Sequence, residues 1–120
     1  ALEYSSGPEL RVTVDSPETL PPLSAAVEVA AYRIVQEGLM NVIKHAKARN
    51  CLVRLVADDA LLIEIVDDGI GLPDGRTAGV GLRSIHERAV EVGGTCDVVT
   101  SSGSGIRLMV SLPIERREVQ

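Results

Sequence analysis

Apolar and polar positions along this chain repeat with two different periods, and the switches between them delimit its elements. Leu10, Val12 and Val14 fall on one side and Arg11, Thr13 and Asp15 on the other, which predicts a half-buried strand over 10–15. Three prolines between Ser16 and Leu23 exclude helix and central strand, so that segment is read as a loop. From the N-cap residue Ser24 the period lengthens: Val27, Ala31, Ile34, Val35, Gly38 and Val42 form the stripe of a helix running to about His45 or Lys47. Period two then returns over 51–57 and 61–66, two strands joined by Asp58-Asp59-Ala60 in a tight hairpin. Residues 67–81, DDGIGLPDGRTAGVG, are glycine-rich and aperiodic, and are the only long irregular stretch, where function is most expected. A second helix over 82–92 buries Leu82, Ile85, Ala89 and Val92, leaves Arg83, Glu87, Arg88 and Glu91 outside, and ends at Gly93-Gly94. The last two strands, 95–100 and 106–112, flank the turn SSGSG.

This order predicts an α/β fold, a two-layer α/β sandwich whose mixed, mostly antiparallel sheet carries both helices on one face. Residues 1–9 show no period and are read as a linker from an upstream domain, 10–114 as the domain itself, and 115–120 as a charged tail. A chain of 120 residues is enough for one substantial core. With no Phe and no Trp, that core must be built from branched aliphatics and alanine. A net charge of −5 without any basic run argues against non-specific nucleic-acid or anionic-membrane binding. Cys51 and Cys96 lie in separate strands without metal-ligand spacing and are read as reduced structural thiols. No apolar run approaches the roughly 20 residues of a membrane span and no signal-peptide pattern is present, which predicts a cytoplasmic location for this segment.

Three features carry candidate chemistry. Glu37, Asn41 and Lys44 recur at i, i+4 and i+7 on the first helix, and at about 100° per residue they share an arc of roughly 60° beside the apolar stripe. An acid, an amide and an amine at the rim of a core suit the gripping of a ligand. Asp67-x-Gly69-x-Gly71 puts a carboxylate at a strand end beside glycines that let a flat ligand approach the backbone. Gly79-x-Gly81 opens the second helix, whose N-terminal N–H groups suit a phosphate. No Gly-Lys-Ser/Thr follows, so this is not a Walker A loop, and its glycines do not join the first strand of a βαβ unit to its helix as a Rossmann fingerprint requires.

Together and in this order, these motifs resemble the GHKL ATPases, which include gyrase-type topoisomerases, a heat-shock chaperone class, histidine kinases and mismatch-repair ATPases. The resemblance spans about Leu10 to Pro113 and implies the Bergerat ATP-binding fold. It is strongest to the catalytic domain of sensor histidine kinases of the nitrate-sensor and lipid-desaturase-sensor type, through LPPL (20–23), YRIVQEGLMNVIKHAKA (32–48), GVGLRSIHERAVEVGG (79–94) and the last strand from Gly103 to Pro113. The resemblance implies ATP and Mg²⁺ as ligands. Asn41 would ligate the metal, Glu37 would polarise the attacking group or orient a water, and Lys44 and His45 would face the phosphates. Asp67 would accept from the adenine amino group, Gly69 and Gly71 would admit the base, and Gly79, Val80, Gly81 and Leu82 would form the lid hinge and its phosphate-facing amides. Asp68 is read as a solvent-facing turn former and His86 as structural. Relatives usually carry Thr where this chain has Ile106, which predicts weaker, more water-dependent adenine recognition.

The implied activity is transfer of the γ-phosphoryl of Mg-ATP to a histidine on a partner helical domain, within a two-component system that ends in a response regulator. Neither His45 nor His86 lies on a dimerising helical hairpin, so the chain is expected to bind nucleotide without completing autophosphorylation alone. The alternatives that share these motifs are an anti-sigma-factor serine kinase and a non-catalytic module in which nucleotide merely orders the lid.

Overall fold

Ser24 caps the first helix as its residue type demands: its extended backbone turns into α1, Ala25–Asn41, and its Oγ accepts from the Val27 N–H at 3.2 Å. The computed structural model describes residues 2–5, 10–46, 48–69, 80–100 and 105–114. In chain order the elements are β1 (Leu2–Ser5), β2 (Arg11–Asp15), α1, a π-helical turn (Val42–Ala46), β3 (Asn50–Ala57), β4 (Ala60–Asp67), α2 (Val80–Glu91), β5 (Thr95–Thr100) and β6 (Ile106–Pro113).

The six strands form one sheet in the order β1-β2-β3-β4-β6-β5. Only β2 and β3 run parallel, as they must when α1 crosses between them; the other pairs are antiparallel. Both helices lie on one face, α1 over β4 and β6, α2 over β5 and β6, and they touch each other. The two-layer α/β sandwich expected from the alternation of periods is therefore the observed architecture. Its core is aliphatic: Ile34 from α1, Ile85 from α2, and Val53, Leu61, Ile63, Val110 and Leu112 from the sheet are almost fully buried.

Three local differences from the sequence reading have physical causes. Leu2–Ser5, inside the segment read as a linker, pairs antiparallel with β2 as the sheet's edge strand. Four residues are too few to display a period. α2 starts at Val80 rather than Leu82, so Gly81 is its second residue. A glycine costs little in a first turn, whose N–H groups have no intrahelical partner in any case. Third, α1 stops at Asn41 and the chain continues as a π-helical turn. A turn closed by i→i+5 bonds advances less per residue than the α-helix does.

Glycine sets two close approaches. Gly38 lets α1 settle onto the sheet, where a Cβ would overlap Ile65 Cδ1. Gly105 adopts φ +83° just before β6, and a Cβ there would overlap the carbonyl oxygen of Asp67.

Candidate functional site

β4 places a carboxylate where its neighbours on the same face are apolar. Leu61, Ile63 and Ile65 point toward the helices, and the strand's period of two sends Asp67 the same way, leaving it 5% exposed. It is the only buried charged residue among the described residues. Its Oδ1 accepts from the Gly69 N–H at 2.8 Å, and the Ile106 N–H is a second donor to the carboxylate. Burial raises the Asp67 pKa above the ordinary carboxylate value, and these two amides pull against that rise. The result is a desolvated, backbone-held acceptor with lone pairs left to meet a ligand.

Asp68, the next residue, has a different task. It is exposed, and its Oδ1 accepts from the N–H groups of Arg49 and Asn50 at 2.8 and 2.9 Å while Oδ2 accepts from Asn50 Nδ2 at 2.9 Å. Those bonds, the Asn50 amide first, lower its pKa. Asp68 thus pins the entry of β3 against the exit of β4, in keeping with the turn-former reading.

On α1, Glu37 and Asn41 stand one turn apart and both are half-buried. Glu37 Oε1 accepts from Arg88 Nε of α2 at 2.9 Å, an ion pair with side chains 26% and 33% exposed respectively. Glu37 Oε2 and Asn41 Nδ2 are buried and have no hydrogen-bond partner among the described residues. Two such atoms on adjacent turns are hydrogen-bonding capacity that no described residue meets. Lys44, in the π-helical turn that follows, is exposed where Glu37 and Asn41 are half-buried. His45 is in the same turn, and its side chain lies outside the described residues, as do Gly71 and Gly79. Gly69 is buried beside Asp67. Val80, Gly81 and Leu82 open α2, and the Leu82 side chain is in the core, so what it can offer a ligand is its backbone N–H.

Two contributors were not singled out in the sequence. Arg88 was placed on the outer face of α2, although its position three residues after buried Ile85 and one before buried Ala89 puts it on the flank facing α1. Gly105 was read within the SSGSG turn and the last-strand resemblance but not as a neighbour of Asp67, because its packing there depends on a strand pairing that no local pattern displays.

A groove of about 260 Å³ lies on the helix-free face of the sheet, lined by Val56, Leu62 and Met109 with Arg54, Glu64 and Asp97. It contains none of the residues above. Two of its charges are already matched, Arg54 with Asp15 at 3.7 Å and Glu64 with Arg107 at 2.7 Å.

Residues 26–116 match the family model described as "Histidine kinase-, DNA gyrase B-, and HSP90-like ATPase". The chain belongs to this ATPase family. Among curated members it is 37% identical over 95 residues to the sensor histidine kinase LiaS of Bacillus subtilis, covering 77% of this chain and 26% of LiaS. It is 41% identical over 93 residues to the signal transduction histidine-protein kinase/phosphatase UhpB of Salmonella typhimurium, covering 76% of this chain and 18% of UhpB. The alignment therefore spans only about a fifth to a quarter of these relatives.

Solved structures of the family agree with the fold. The histidine kinase domain of the Erythrobacter litoralis blue-light activated histidine kinase superposes with a TM-score of 0.75 at 20% identity, over 88% of this chain and 52% of that one. The ATP-binding domain of PrrB from Mycobacterium tuberculosis gives 0.63 at 27% identity, over 92% of this chain and 84% of that one. Within this family member, no helix among the described residues is long and apolar enough to cross a membrane.

Proposed function

We propose that this chain is the ATP-binding catalytic domain of a two-component sensor histidine kinase, passing the γ-phosphoryl of ATP to a histidine on a helical domain of the same protein. The observation that carries the reading is Asp67, a buried carboxylate steadied by two backbone amides at the end of β4. Such an acceptor suits the exocyclic amino group of adenine, and Gly69 beside it leaves room for the ring. The N-terminus of α2, beginning at Val80, offers its free N–H groups to the phosphates. In phosphoryl transfer the protein contributes chiefly position and charge neutralisation, and these parts supply both.

The unpartnered Glu37 Oε2 fits a site that takes a hard cation or a metal-bound water, and the unpartnered Asn41 Nδ2 is a donor free to meet a phosphate oxygen. Asn41 Oδ1 would hold Mg²⁺, which when bound neutralises phosphate charge. Glu37 then polarises the attacking group from the same helix. Lys44 and His45 lie one turn further on and are assigned a supporting role toward the phosphates. The phosphorylated histidine would in turn serve a response regulator.

The test is calorimetry with a non-hydrolysable ATP analogue, with and without Mg²⁺, alongside transfer of labelled phosphate to a separately supplied histidine-bearing helical hairpin. Magnesium-dependent binding and labelling of the hairpin, the labelling strongly slowed in Glu37→Gln while binding persists, are expected. Failure of the wild-type chain to bind any adenine nucleotide would overturn the reading.

A further inference from the structure

The pairing of Glu37 with Arg88 is asymmetric. Arg88 takes one carboxylate oxygen, Oε1, at 2.9 Å, and leaves Oε2 buried without a hydrogen-bond partner among the described residues. Arg88 also reaches across to another helix, 51 residues away in sequence, while Arg83 of the same helix pairs within α2, with Glu87. A carboxylate on a long side chain has three rotatable bonds, and a single fixed oxygen removes most of that freedom. The guanidinium accomplishes this through a directed N–H that an ammonium would deliver less rigidly.

We infer that Arg88 is a positioning residue for the transfer step: by holding Oε1 it fixes Glu37 so that Oε2 is the oxygen presented to the attacking group. This rests on the reading of Glu37 given above and adds to it which oxygen acts and what aims it. It also links two halves of the site. Arg88 lies two turns into the helix that begins at Val80, so the group that orients Glu37 is carried by the same helix whose N-terminus is assigned to the phosphates. Because the pair is about a third exposed, its contribution to stability is small, and a positioning effect separates cleanly from a structural one.

The experiment compares wild type with Arg88→Ala, Arg88→Gln, Arg88→Lys, Glu37→Gln and the double variant Arg88→Ala/Glu37→Gln. Each is assayed for Mg-ATP affinity by calorimetry and for the saturating rate of phosphoryl transfer to the supplied helical hairpin. Arg88→Ala and Arg88→Gln are expected to lower the rate at least tenfold, roughly what a misaimed group costs, while affinity stays within about twofold. Arg88→Lys should recover part of the loss, and the double variant should be no slower than Glu37→Gln alone. The inference is overturned if Arg88→Gln transfers at the wild-type rate, if rate and affinity fall together, or if the two losses multiply in the double variant. A wild-type rate in Glu37→Gln would instead remove the role of Glu37 itself and this inference with it. The neutral, similarly sized Gln variant keeps the test decisive should Arg88→Ala fold poorly.

Discussion

Asp67 and Asp68 are adjacent carboxylates whose environments push them in opposite directions. Burial raises the pKa of Asp67, so folding favours its protonated form. Its contribution to fold stability is therefore complete below the ordinary carboxylate pKa and is lost as pH rises through the raised value. Asp68, lowered by the Asn50 and Arg49 amides, stabilises the fold above the ordinary value and loses that contribution as pH falls through its lowered one. On the proposed reading Asp67 meets the nucleotide as an ionised acceptor, so ATP affinity should fall as pH drops through its raised pKa, in the range where Asp67's own contribution to stability grows. Asp67→Asn is expected to weaken binding by about 10- to 100-fold, the value of a hydrogen bond to a charged group, and to flatten that pH dependence in calorimetry. Ile106 offers the complementary change. Its N–H already supports Asp67, and Ile106→Thr keeps that amide while adding a hydroxyl, so affinity should rise by about two- to tenfold. An unchanged dissociation constant would show that the hydroxyl has no part in base recognition here.

The strands and helices were legible because their periods are clean. The strand read over 61–66 runs one residue further, to Asp67, which continues the face of Ile63 and Ile65. The N-cap at Ser24 and the glycine stop after α2 were equally local, the latter visible as Gly93 at φ +83° with its N–H donating to the Val90 carbonyl. What did not show was anything that departs from a regular period or depends on a distant partner. The π-helical turn puts Lys44 in a different winding from Glu37 and Asn41, and a template of 3.6 residues per turn has no means of anticipating it. The two glycines at close approaches make a paired prediction. Gly105→Ala meets backbone at Asp67 in a conformation that side chains rarely adopt, and should cost more than about 2 kcal/mol and impair nucleotide binding. Gly38→Ala meets only the end of the flexible Ile65 side chain and gains helix propensity, so its net effect should stay within about 1 kcal/mol. Urea denaturation of the two variants orders them.

For the molecule as a whole, the fold class and the residues proposed to meet the nucleotide could be read from one sequence, because element order and motif order agree. The sheet's strand order could not, since β6 pairs with β4 and displaces β5, its predecessor in the chain, to the edge. Arg88 and Gly105 escaped notice for the same reason: each acts through a partner that only the assembled sheet brings near. That strand order has a consequence for synthesis. Asp67 receives its second amide from Ile106, and the residue packed on its carbonyl is Gly105, so the surroundings of Asp67 are completed only by the last strand of the sheet to be synthesised. A nascent chain that ends anywhere before β6 can form α1 and the β3–β4 hairpin, yet it holds Asp67 without either support. If Asp67 holds the nucleotide as proposed, capture is deferred until β6 has joined the sheet.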